Sequence, residues 1–155
     1  GYNFINLVTT LAGDSLFLLM LFLTFTCIVL GMGVPATPAY IIVATLGAPA
    51  LIKMGVPAIA AHMFVFYYAI LSVITPPVCM ASFAGAAIAE ADAMKTGFVS
   101  VKLGIVAFII PFMFVYQPAL LLQGNTPDVA VACVTAVIGV IGLAIVGVFV
   151  FTKRR

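Results

Sequence analysis

From Val56 to Ala89 the chain runs for 34 residues without a formal charge, and near the middle of that run stand Thr75, Pro76 and Pro77. About 20 apolar residues cross the hydrocarbon core of a bilayer. The run is therefore too long for one helix and too short for two with a loop. Adjacent prolines remove two backbone donors and clash with the preceding turn, so a helix unwinds there. Unwound backbone at membrane depth is tolerated only where protein buries it or it lines a cavity. A single broken transmembrane helix over 56–89 is the expected outcome.

Composition supports a lipid setting. Hydrophobic residues make up 66% of the 155-residue chain and charged residues 6%, against about 25% charged in soluble domains. The net charge of +2 rests mainly on Lys153, Arg154 and Arg155. No basic patch for nucleic acid is present. Cys27, Cys79 and Cys133 are single, lie in apolar runs, and lack metal-ligand spacing. The chain opens on Gly1 and shows no basic leader, so it reads as a piece of a longer protein.

A second break lies at "GMGVPATPAY", residues 31–40. The apolar runs on either side, Ser15–Leu30 and Ala36–Ile52, are 16 and 17 residues long, short for a span. Residues 14–55 are expected to form a re-entrant helical hairpin, with Asp14 and Ser15 starting its first arm. Residues 1–13 read as an extracytoplasmic lead-in. Residues 90–102, with Glu90, Asp92, Lys95 and Lys102, read as a cytoplasmic loop or interfacial helix. Residues 103–122 and 129–151 each read as one spanning helix, with Pro111 and Pro118 as kinks, and 152–155 as a basic cytoplasmic end. The lysines and arginines place both charged groups inside and "QGNTPD" outside. The hairpin then enters from outside, although Lys53 runs against that pattern. The fold class expected is an all-α, multi-pass membrane protein with one hairpin, one broken helix and further spans.

Short or Gly/Pro-interrupted segments point to a transporter's midplane site. Unwound backbone exposes carbonyls, glycine lets it approach closely, and proline frees the carbonyl four residues before it. Gly31, Gly33, Thr37, Thr75 and Pro76 are the candidate ion-binding positions, mainly through backbone. Gly33→Val is expected to distort the hairpin tip. No acid lies in either break, which favours a monovalent ion over calcium. Pro35, Thr37, Ser72, Thr75 and Pro77 are candidates for the substrate cavity, where helix N-termini can face an anionic group.

"GMGVPATPAYIIVATLGAPAL", "AAHMFVFYYAILSVITPPV" and "TGFVSVKLGIVAFIIPFMFVYQPALLLQG" together resemble the C-terminal half of the large membrane subunit of TRAP transporters, the TAXI-type fused permease in particular. The resemblance implies the second of two inverted repeats in an elevator-type secondary transporter of the inner membrane. It implies coupling sodium ions, with Gly31, Gly33 and Thr75 as their candidates here, and no other cofactor. The implied partners are an extracytoplasmic TAXI-type solute-binding protein that delivers an organic acid, a small membrane subunit or its fused equivalent, the N-terminal repeat, and lipid. Other branches carry Asn and Gly before their TPP. Tyr68 and Ser72 stand here, so ligands at those places are expected from carbonyls.

Two other readings remain. A non-transporting membrane anchor or assembly subunit needs no broken helices. An intramembrane enzyme needs a nucleophile–base pair, and Ser72 has no base beside it, so no enzyme is expected. His62 reads as an interfacial, hydrogen-bonded group before it reads as a proton carrier.

Overall fold

The computed structural model describes residues 10, 13 and 15–152, and side chains within that range up to 146. The lead-in, Asp14 and the basic end lie largely outside the described residues. All the regular structure among these residues is helical.

Helix α1, Leu16–Gly31, starts where Ser15 accepts a hydrogen bond from the Leu18 amide at 3.4 Å. A turn at 32–35 reverses the chain, with the Gly33 and Val34 amides both donating to the Leu30 carbonyl. Helix α2, Ala36–Lys53, then runs back along α1. A Cβ on Gly47 of α2 would lie 2.7 Å from a Leu23 methyl of α1, so the missing side chain sets the close approach of the two arms. Small residues at helix interfaces have this effect in membranes, where close packing replaces the hydrophobic drive. A second tight turn follows at Met54–Pro57. Gly55 takes a φ of +89° there, which costs glycine little.

Helix α3, Ala58–Leu71, packs against both arms. The core lies among these three helices: Leu19, Met20, Leu23 and Cys27 from α1, Val43, Ala48 and Leu51 from α2, and Ala61, Phe64, Val65 and Tyr68 from α3. After α3 the helix tightens to one 3-10 turn at Ser72–Ile74 and breaks. A cis peptide joins Pro76 and Pro77. Helix α4, Met80–Ile88, resumes beyond the break.

The charged stretch begins a helix. Asp92 caps α5, Ala93–Leu103, by accepting from the Lys95 amide at 2.7 Å. The expectation of one continuous helix over 103–122 is corrected. Past Gly104 the chain forms a 3-10 turn at Ile105–Phe108, helix α6 at Ile110–Tyr116 and another 3-10 turn at Pro118–Leu121. Pro111 sits in the first turn of α6 and Pro118 in that of the last 3-10 turn. Prolines are tolerated at such starts because their missing N–H would find no partner there. They begin elements here instead of kinking one. Between α5 and the segment Ile105–Tyr116 the chain bends by 63°. Phe112 of α6 reaches back to Phe64 and Tyr68 of α3, with ring centroids 5.5 and 6.1 Å apart.

Helix α7, Thr126–Thr152, starts three residues before the expected span. Among the described residues, Ala36–Lys53 and Thr126–Val146 are long and apolar enough to cross a membrane, and the bent pair would make a third. Helix α2 is thus not too short to cross. Large apolar side chains cover the outside, Phe25 and Ile145 among them. This is the surface of an integral membrane protein.

Candidate functional site

The two breaks that the sequence marks separately meet in space. Gly31, the last residue of α1, is buried. A Cβ placed on it would collide with the Oγ and Cβ of Ser72. The end of the first hairpin arm therefore rests on the turn where α3 gives way. Ser72 is fully buried and its hydroxyl donates to the Ala69 carbonyl at 2.6 Å. Thr75, part-buried, donates its hydroxyl to the Leu71 carbonyl at 2.7 Å. Each hydroxyl spends its proton on the preceding turn, which leaves its oxygen with acceptor lone pairs only.

Proline placement strips several carbonyls of donors. A helical carbonyl takes its hydrogen bond from the amide four residues on. For Gly31 and Val34 that residue is Pro35 and Pro38. For Val73 the residues three and four on are Pro76 and Pro77, so neither an α nor a 3-10 bond can form. Past the break, the Thr75, Pro76 and Pro77 carbonyls accept no hydrogen bond among the described residues. Oxygen atoms without donors are what a hard monovalent cation requires.

The remaining candidates lie further out. Gly33, Pro35 and Thr37 are exposed at the hairpin tip, Pro76 is part-buried, and Pro77 is exposed. Only the Leu30 carbonyl, at 3.8 Å, would come near a Cβ on Gly33. The crowded glycine is Gly31; at Gly33 a first side-chain carbon meets no steric obstacle. Tyr68 and Ser72, which replace the Asn and Gly of other branches, are both engaged internally: the Tyr68 hydroxyl donates to the Phe108 carbonyl.

Two features escaped the sequence reading. A Cβ on Gly97 of α5 would collide with Cys79 Sγ and lie 3.4 Å from Pro76, so α5 presses on the break from another side. The available signal was a glycine inside a helix, which costs about 1 kcal/mol unless packing requires it. Tyr40 of α2 pairs with His62 of α3, its hydroxyl 3.0 Å from Nδ1, and its ring meets Phe66 edge-on at 5.5 Å. His62 is an exposed, hydrogen-bonded group. Among the described residues, no group of three or more His, Cys, Asp or Glu side chains could hold a metal.

The sequence model of the family described as "Tripartite ATP-independent periplasmic transporter, DctM component" matches residues 2–129. The chain belongs to the DctM family. The match takes in the hairpin, the broken helix and the bent pair, and ends at the start of α7. No curated protein and no solved structure matches the chain. As a DctM component the chain is part of a TRAP transporter permease, a membrane component that works with an extracytoplasmic solute-binding protein and a small subunit. Transport, not catalysis, is the business of the family.

Proposed function

We propose that this DctM chain forms one half of the moving domain of a sodium-coupled permease that takes up organic acids by an elevator motion. Its binding protein would be of the TAXI type, and its small subunit fused or separate, in a multi-pass inner-membrane assembly. One observation carries the reading: Gly31 lies directly against Ser72, which sets the end of the first hairpin arm on the turn that leads into the helix break, and both stretches carry carbonyls that proline leaves without helical donors. Neutral oxygen ligands without a carboxylate suit one weakly held sodium ion. The first turns of α2 and α4, with Thr37 and Pro77 near them, offer N–H groups to a substrate carboxylate. A membrane anchor has no use for such a junction.

The test is uptake of radiolabelled organic acids by the complete permease in liposomes with its binding protein, with and without an inward sodium gradient. Sodium-dependent accumulation is the expected result. Accumulation driven equally well by a proton gradient without sodium would overturn the sodium assignment. A permease complex that assembles but moves nothing under either gradient would favour the anchor.

A further inference from the structure

Helix α5, Ala93–Leu103, presents two different faces. Gly97 presses on Cys79 and Pro76 at the helix break. Opposite it stand Lys95 and Lys102. At 100° per residue these lysines, seven apart, fall within about 20° of each other and about 140–160° from Gly97. Met94 and Phe98 flank them on one side, Val99 and Leu103 on the other. All six are exposed, Phe98 by 56% and Leu103 by 62%. A lysine stripe between apolar flanks cannot sit at the bilayer centre, where each charge costs about 2.5–3.5 kcal/mol even on the mildest scale. It suits the interface, where the stems lie on acyl chains and the ammonium groups reach outward. The 63° bend after Leu103 turns α5 away from the direction of the chain that follows, as an interfacial helix requires.

We propose that α5 is a binding surface for anionic phospholipid, with Lys95 and Lys102 holding the headgroup phosphates, and that lipid seated there presses Gly97 onto the break and keeps it closed. Opposite charge favours the bilayer as occupant. Glu90 and Asp92 precede the stripe and weaken the attraction. Asp92, however, is engaged on the Lys95 amide. Each lysine near a charged surface contributes about fivefold in affinity, so a five- to 30-fold preference for anionic over zwitterionic lipid is expected. The inference does not depend on what the permease transports.

The test uses the complete permease in nanodiscs of phosphatidylcholine, alone or mixed with phosphatidylglycerol. Lipid retained per protein is read by native mass spectrometry. The break is read by labelling Cys79 with a neutral maleimide in a background where every other thiol of the permease, Cys27 and Cys133 included, is replaced by Ser. Phosphatidylglycerol should be retained preferentially and should slow Cys79 labelling several-fold. Lys95→Gln with Lys102→Gln should abolish both effects, each single change about fivefold of the preference, while Lys95→Arg with Lys102→Arg keeps both. Equal retention of the two lipids, an unchanged preference in the glutamine variants, or its loss in the arginine pair would overturn the lipid site. Displacement of the lipid by inorganic phosphate would overturn the bilayer assignment. Preferential retention with unaltered Cys79 labelling would overturn the link to the break.

Discussion

At the scale of single residues, Gly31 and Gly33 look alike in the sequence and differ in the fold. Gly31→Ala puts a methyl into Ser72. Overpacking of this kind costs about 1–3 kcal/mol, so the thermal midpoint in detergent should fall and uptake should drop even at saturating sodium. Gly33→Ala should change neither. Removing the Ser72 side chain in a Gly31→Ala, Ser72→Gly double variant should restore most of the loss, which a defect unrelated to that contact would not allow. Thr75 permits a cleaner separation. Thr75→Val keeps the shape and deletes the oxygen. A lost ligand worth about 1–2 kcal/mol would raise the sodium concentration for half-maximal uptake roughly 5- to 30-fold. Thr75→Ser should remain close to the parent. A valine variant whose sodium curve overlays the parent's would confine the site to backbone oxygens.

At the scale of elements, the two interruptions could be read in the sequence because proline removes donors by covalent chemistry, whatever the tertiary context. The hairpin turn fell at 32–35 and the helix break at 75–79, where the Gly and Pro clusters stand. The division of 103–122 was not readable in the same way. An apolar run has the same composition as one helix or as three pieces, and Pro111 and Pro118 fit a kink as well as a start. That the tip meets the break was not readable at all, because Gly31 and Ser72 lie far apart in the chain and nothing local links them. Orientation is open to experiment. Cysteines placed at Lys95 and Asn125 in a background without native thiols should react with an impermeant maleimide from opposite faces. Same-side reaction would overturn the proposed topology. A cysteine at Gly33 should change its reactivity with sodium and substrate if the hairpin is re-entrant. Strong cytoplasmic reaction indifferent to both would make α1 and α2 ordinary spans.

At the scale of the whole molecule, the helices divide by how they are held. Helices α1, α2 and α3 share one core, and α6 joins it through Phe112 and Val115. Among its described side chains, helix α7 hardly takes part: Ala132 is buried, while Val131, Val134, Val137, Ile138 and Ile141 face outward. Association within lipid depends on packing contacts and interhelical hydrogen bonds, so α7 contributes little to the fold of the rest. Removing residues 130–155 should lower the stability of the remaining helices by less than about 1 kcal/mol, measured by thermal unfolding in detergent. A collapse of the fold on truncation would show that α7 is a structural member.

Val73 carries a consequence for transport. Its carbonyl has prolines three and four residues ahead, so no helical amide can ever satisfy it. An unmet carbonyl in a dry interior costs several kcal/mol. In the proposed elevator, an ion-free junction would have only water to cover that oxygen, and a watered break would be a poor passenger through hydrocarbon. A bound cation would replace the water and let the junction close dry. Crossing without cargo would then be discouraged by the backbone itself, and the leak resistance of such a carrier would be written in the order of two prolines.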